Sequence, residues 1–181
     1  MRGIELKTRR LLLRTVRPGD AEAIYGYRSR PEISRYQGEP KSAASVRARI
    51  ELIAAAKPAA PRTWHQLAIV EKESGALIGD VSIHFKDEKQ AELGYTLSPG
   101  SQGRGFATEA VAAVVDWLFG KLKKHRLTAT ADARNKNSLK LMKRLGMRKE
   151  AHFKKSFWNG REWADDLAYA ILREEWGGRK K

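Results

Sequence analysis

The chain has 181 residues, the length of one domain, and at that size roughly 70% of the unfolded surface can be buried, enough for a core without staples. It holds no cysteine, which excludes disulfides, thiolate zinc sites and a cysteine nucleophile. Lys and Arg number 36 against 21 Asp and Glu, a net charge of +15 that suits acidic partners and solubility alike and says nothing of the fold.

Charges scattered from Arg2 to Asp20 leave no secretory signal, and Met1-Arg2 is no myristoylation start. The longest purely apolar run, Ala110 to Val115, is far below the ~20 residues that span a bilayer. A cytoplasmic setting without membrane contact is expected. After a basic lead-in, Leu11 to Val16 alternates like a strand; Pro18-Gly19-Asp20 breaks it, with Asp20 as the expected N-cap of a helix to about Arg30. A second helix starts near Ser42, with Val46, Ile50 and Ile53 on one stripe, and Pro58 and Pro61 end it. Gly26, Pro31, Gly38 and Pro40 predict irregular chain between the two helices.

The middle reads as antiparallel sheet: Trp64 to Glu71, a turn at residues 72–75, Ala76 to Phe85, and Ala91 to Leu97. A glycine-rich loop follows, then a helix whose stripe is Val111, Val114, Val115, Leu118 and Phe119. Leu127 to Ala131 is a short strand, and a helix after Asn135 to Ser138 closes at Gly146. Met147 to Trp158 and Arg161 to Leu172 form a hairpin about Asn159-Gly160, a strong two-residue turn signal. No repeat or low-complexity stretch occurs; the sum is a mixed α/β domain with a mostly antiparallel first half.

The segment from Ala91 to Ala110 is strand, glycine-rich loop and helix start. Such an arrangement leaves backbone N–H groups unpaired at the positive end of a helix, an anion site that fits a pyrophosphate. No Gly-Lys-Ser/Thr makes it a Walker loop, and the antiparallel strand before it excludes a Rossmann fingerprint.

Gln102-x-x-Gly105-x-Ala107 resembles the acetyl-coenzyme-A motif of the GNAT acetyltransferases, Arg/Gln-x-x-Gly-x-Gly/Ala. Glu92-Leu93-Gly94-Tyr95, Thr108-Glu109-Ala110, Asn135-Lys136-Asn137-Ser138, Leu145-Gly146-Met147, and Tyr169 to Leu172 with Glu174-Glu175-Trp176 resemble the branch of the ribosomal-protein N-terminal acetyltransferases. The resemblance runs from about Leu6 to Trp176. It implies a single GNAT domain over residues 1–176, a central mixed, mostly antiparallel sheet flanked by helices (α/β, or α+β), with a loose basic tail at 177–181. It also implies acetyl-CoA as cosubstrate. Gln102, Gly103, Arg104, Gly105, Ala107 and Thr108 would hold the pyrophosphate, the Leu97 backbone and Asn135 the pantetheine arm, and Ser138 would lie near the sulfur.

Transfer to an amine needs a neutral nucleophile, a polarised thioester carbonyl and a proton for the leaving thiolate. An α-amine of pKa about 7.7–8.0 is partly neutral at pH 7, whereas a lysine at about 10.4 is almost wholly charged. Glu92, on the strand leading into the loop, is the candidate base, its alternative a structural carboxylate. Ser138 is the candidate proton donor to sulfur or a helix cap, for which Asn137 competes. Tyr95 and Tyr169 are further acids or core residues. Trp158, at the hairpin tip, is either a lid at the acceptor end or a packed turn. His65, His84, His125 and His152 have no metal spacing, and no metal is expected.

Residues 121–181 hold 18 basic and 7 acidic groups against 18 and 14 in residues 1–120. Lys140, Lys143 and Arg144 suit the 3′-phosphate of coenzyme A; the remainder suits either ribosomal RNA or solvent. Three functions follow as expectations: acetylation of a protein N-terminal α-amine such as a ribosomal protein's, acetylation of a small amine (antibiotic, polyamine or amino acid), or a non-catalytic basic binding module. The chain is expected as a monomer or homodimer.

Overall fold

In the computed structural model, which describes residues 3–57 and 59–177, Leu11 and Leu13 are fully buried while Leu12 and Arg14 are only half-buried. That is the two-residue period of a strand with one face on a core. The strand is β2 (Leu11–Thr15), and a short β1 (Glu5–Lys7) from the basic lead-in pairs with it antiparallel. β3 (Thr63–Glu71), β4 (Leu77–Phe85) and β5 (Gln90–Leu97) extend the antiparallel sheet, each within one residue of the bounds read from sequence. β6 (Arg126–Asp132), β7 (Arg148–Trp158) and β8 (Trp163–Leu172) complete eight strands in the order β1-β2-β3-β4-β5-β6-β8-β7.

Only β5 and β6 run parallel, which requires a crossover, and α4 (Phe106–Gly120) supplies it. The whole expected stripe of α4 is buried, joined by Phe106 and Ala110, on the sheet face that carries Leu67, Ile69, Val81 and Ile83. At about 1.5–3 kcal/mol for each large apolar side chain, this packing seats the glycine-rich loop at the head of α4. On the other face, Ala68 packs with α1 (Ala21–Arg28) and α3 (Ala43–Ala55) through Ile24, Tyr27, Val46 and Ile50. Pairing between β5 and β6 stops at Leu93 and Ala129, although the strands run on to Leu97 and Asp132. The sheet therefore opens in its middle, beside the loop.

Three local expectations are corrected. Residues 31–37 are not irregular but form α2 (Pro31–Gln37), because proline at the first helical position loses no hydrogen bond. Asp20 takes the N-cap position of α1 as expected but its side chain makes no capping bond; its carboxylate is held by Arg14 at 2.8 Å through both nitrogens and by the Arg17 N–H at 2.7 Å. The hairpin connection is four residues long, with Trp158 paired to Trp163, because Asn159 Oδ1 accepts the N–H groups of Arg161 and Glu162 at 2.9 and 3.0 Å. Neither Ser138 nor Asn137 caps α5 (Lys136–Arg144); Asn135 does, accepting from the Ser138 N–H at 3.1 Å. Ser42 starts α3 as expected, in reciprocal bonds with Ser45. Pro58 and the part of the expected tail after Gly177, which ends α6 (Arg173–Gly177), lie outside the described residues. No helix among the described residues is long and apolar enough to cross a membrane.

Candidate functional site

β5 ends in a 3-10 turn at Pro99–Ser101, and Gln102 to Gly105 then carry the chain into α4. Gly105 occupies the N-cap position with φ +78°, a left-handed conformation that L side chains adopt only under strain. A glycine there offers no capping side chain. Among the described residues, the main-chain N–H groups from Gly103 to Thr108 donate to no protein acceptor. They stand at the positive end of a fifteen-residue helix, so the loop suits the phosphate oxygens of a ligand.

The loop is braced from the far end of the chain. Glu109, in the first turn of α4, accepts from Thr8 Oγ1 at 2.6 Å, the Arg10 N–H at 2.8 Å and Arg10 Nε at 2.7 Å. Arg10 Nη1 also donates to the Arg104 carbonyl at 3.0 Å, and the Arg10 and Arg104 guanidinium groups lie 4.4 and 4.6 Å from the Phe106 ring centroid. Arg104 itself pairs with Glu71 at 3.2 Å. Its side chain thereby reaches the end of β3.

Burial pushes the Glu109 carboxyl up, but the bonds from Thr8 and Arg10 outweigh it and hold the group below its ordinary value. Burial likewise opposes, and Arg134 outweighs, the lowered value of Asp132. A carboxyl depressed in the fold stabilises it above the unfolded pKa and loses that contribution as pH falls through the folded one. Urea midpoints are therefore expected to drop as pH falls from about 5 toward 3, and Glu109→Gln to flatten part of that drop.

Across the gap in the sheet stands the start of α5. Ser138 Oγ donates to Tyr95 Oη at 2.9 Å, and Tyr95 Oη donates to the Ser138 carbonyl at 3.1 Å. Burial pushes the Tyr95 phenol up to about 12, against smaller lowering effects from Ser138 and the Arg144 charge. The Tyr95 phenol therefore stays protonated at neutral pH, and Ser138 Oγ, whose one proton is committed to Tyr95, can donate to an anionic atom only by turning away from it.

These parts enclose a cleft of about 580 Å³ between α2, the end of β5, the glycine-rich loop and the start of α5. Leu97, Gln102, Gly103, Gly105, Ala107, Thr108, Asn135 and Ser138 all line it, as do Lys140 and Arg144. Arg104 does not, nor does Lys143. The Leu97 carbonyl already accepts from Gln102 Nε2 at 3.1 Å, and Asn135 Oδ1 is occupied by its cap.

Glu92 is not among the lining residues: its carboxylate is paired with Lys86 at 3.0 Å. Trp158 is not either. Half-exposed, it packs on Trp163 with ring centroids 5.6 Å apart, and the tip residue that reaches the site's frame is Asn159, whose Nδ2 donates to the Arg35 carbonyl of α2 at 3.1 Å.

What the sequence reading missed is the α2 wall. Glu32, Tyr36 and Gln37 line the cleft opposite Thr96. Gln37 Oε1 accepts from Arg28 Nη1 at 3.0 Å and from Thr96 Oγ1 at 2.9 Å. Arg28 is anchored in turn by Asp80, which is fully buried and accepts from Arg28 Nη2 at 2.7 Å, Gln66 Nε2 at 2.8 Å and the Tyr27 hydroxyl. Burial, and next the Asp80 charge, push the Tyr27 phenol well above its ordinary value. The only available signal was Pro31 as a helix start.

A family model described as an acetyltransferase (GNAT) domain matches residues 10–148. The uncharacterized N-acetyltransferase YnaD of Bacillus subtilis is 31% identical over 174 residues, 96% of this chain and 99% of its own. The ribosomal protein uS5-alanine N-acetyltransferase of Escherichia coli is 31% identical over 84 residues, 46% of this chain and 43% of its own. Among solved structures, a GNAT-family acetyltransferase from Bacillus anthracis matches with TM-score 0.83 and 30% identity, over 95% of this chain and 100% of that one. A spermidine N-acetyltransferase from Vibrio cholerae, in complex with CoA and spermine, matches in fold with TM-score 0.81 and 20% identity, over 93% and 99% of the two chains.

Proposed function

We propose, from the premise that this chain belongs to the GNAT acetyltransferase family and is an N-acetyltransferase, that its acceptor is the free α-amine of a protein such as a ribosomal protein. The observation that carries this reading is the charge of the cleft. Among the described residues Glu32 is the one carboxylate lining it, against Arg35 and Lys136, besides Arg134 paired with Asp132 and Glu162 and Lys140 and Arg144 on the cosubstrate's side. A polyamine would bring several ammonium groups into a cleft of its own sign. A peptide brings one amine that is already partly neutral at pH 7.

Acetyl-CoA supplies a thioester carbonyl open to attack and a thiolate able to leave. The N–H groups from Gly103 to Thr108 would hold its pyrophosphate, and Lys140 and Arg144 would face its 3′-phosphate. Ser138 would turn its hydroxyl from Tyr95 to donate a hydrogen bond to the sulfur as negative charge develops there. One amine proton ends on the thiol, so the products are the acetylated amine and coenzyme A. With Glu92 tied to Lys86, solvent removes that proton in this reading.

Thiol release with N-terminal peptides, an aliphatic diamine and an aminoglycoside as acceptors tests the reading. Peptides are expected to be acetylated at the α-amine, with kcat/KM rising with pH and levelling near about 8, where that amine becomes neutral. Glu92→Gln is expected to cost far less than the roughly 10²–10⁴-fold that a positioned base supplies. Turnover of the diamine or aminoglycoside alone would replace the α-amine with a small-molecule acceptor.

A further inference from the structure

The Gln37 carboxamide is fixed before any ligand arrives. A guanidinium has donors only, so the group facing Arg28 must be the carboxamide oxygen, and the opposite rotamer would set N–H against N–H. The Thr96 hydroxyl donates to the same oxygen. Arg28 has no freedom to swing away, because its second nitrogen is bound to the buried carboxylate of Asp80. Gln37 Oε1 is thus doubly engaged, while Nε2 donates to nothing among the described residues. The residue lines, on the α2 wall, the same cleft as the glycine-rich loop and Ser138.

We propose that Gln37 Nε2 is an acceptor subsite, donating to the carbonyl oxygen of the acceptor's first peptide bond and so selecting amines that carry a carbonyl on the adjacent carbon. This rests on the α-amine reading above and gives it a recognition element. The chemistry fits one ligand class. Every peptide α-amine has such a carbonyl at a fixed spacing, N–Cα–C=O. An alkyl diamine offers only ammonium donors at that place, and these oppose both the carboxamide N–H groups and the Arg28 charge behind them. A donor whose rotamer is already locked loses little further freedom on binding.

The test compares a short peptide with an analogue whose first peptide bond is a trans alkene, which keeps shape and amine but has no carbonyl. Wild-type protein is expected to favour the peptide by about tenfold or more in kcat/KM, the size of one well-placed hydrogen bond. Gln37→Met removes the donor, and Gln37→Glu keeps an oxygen for Arg28 and Thr96 while making the other atom an acceptor. Both variants are expected to bring the two substrates within about threefold of each other, about 0.65 kcal/mol, through KM of the peptide, with the calorimetric affinity for acetyl-CoA unchanged. Gln37 is exposed, so both should fold, and a thermal melt checks that. Equal use of peptide and alkene by the wild type, or equal loss of both in Gln37→Met, would sink the subsite and leave the α-amine reading standing. Wild-type turnover of diamines with none of either peptide would instead overturn the α-amine reading.

Discussion

Asp80→Ala is expected to destabilise the fold by about 3–5 kcal/mol, read as a fall in the urea midpoint at unchanged slope. Asp80 is fully exposed to no solvent at all, being 0% accessible, and it is the shared acceptor for Arg28, Gln66 and Tyr27. Truncating it leaves a guanidinium and three neutral donors, Ser82 at 3.5 Å being the third, without their partner in a low-dielectric interior, which is the costly way to break a buried pair. Against a total stability of about 5–15 kcal/mol, that loss brings the domain near its unfolding threshold. Asp80→Leu combined with Arg28→Met should recover much of it, because no charge is then stranded. If Asp80→Ala melts like the wild type, the network is not what holds α1 and α2 against the sheet.

Gly105→Val is expected to weaken acetyl-CoA binding tenfold or more, at least about 1.4 kcal/mol, in calorimetry. A branched side chain at the head of α4 obstructs the approach of phosphate to the N–H groups. The substitution also strains the backbone: at φ +78° valine costs about 1–3 kcal/mol, and its Cβ would stand 3.4 Å from Arg10 Nη2. Both affinity and melting temperature should therefore fall. Gly100→Ala is the control, since Gly100 has no neighbour within 4 Å of an added Cβ and no left-handed φ. Intact affinity in Gly105→Val would move the phosphate site elsewhere.

Sheet and crossover were legible in the sequence because their signals are periodic. The alternation about Leu11 and Leu13 and the α4 stripe from Val111 to Phe119 are patterns that only one secondary structure satisfies. The geometry of the glycine-rich loop was legible because it is carried by the backbone, and free N–H groups ahead of a helix need only glycines and a helix start. The α2 wall was not legible. Seven residues with a proline at one end give little periodicity, and Gln37 acquires its role from Arg28 and Thr96, partners brought together only by the fold. Glu92 shows the converse: position along a strand gives the order of residues toward the loop, but Lys86 beside it is a cross-turn neighbour that strand order does not reveal.

The brace between Arg10 and Glu109 also bears on when the site can form. The two residues are 99 apart in the chain, so closing that loop costs chain entropy before any of its bonds forms. During synthesis Arg10, just ahead of β2, emerges before β3, β4 and β5, and only after all of these does its partner Glu109 exist. Contacts this distant in sequence slow folding, and the braced loop takes shape only after the strands between have paired. Competence to hold the cosubstrate is then a late property of the maturing chain, and a partly folded molecule carries the loop without the means to use it.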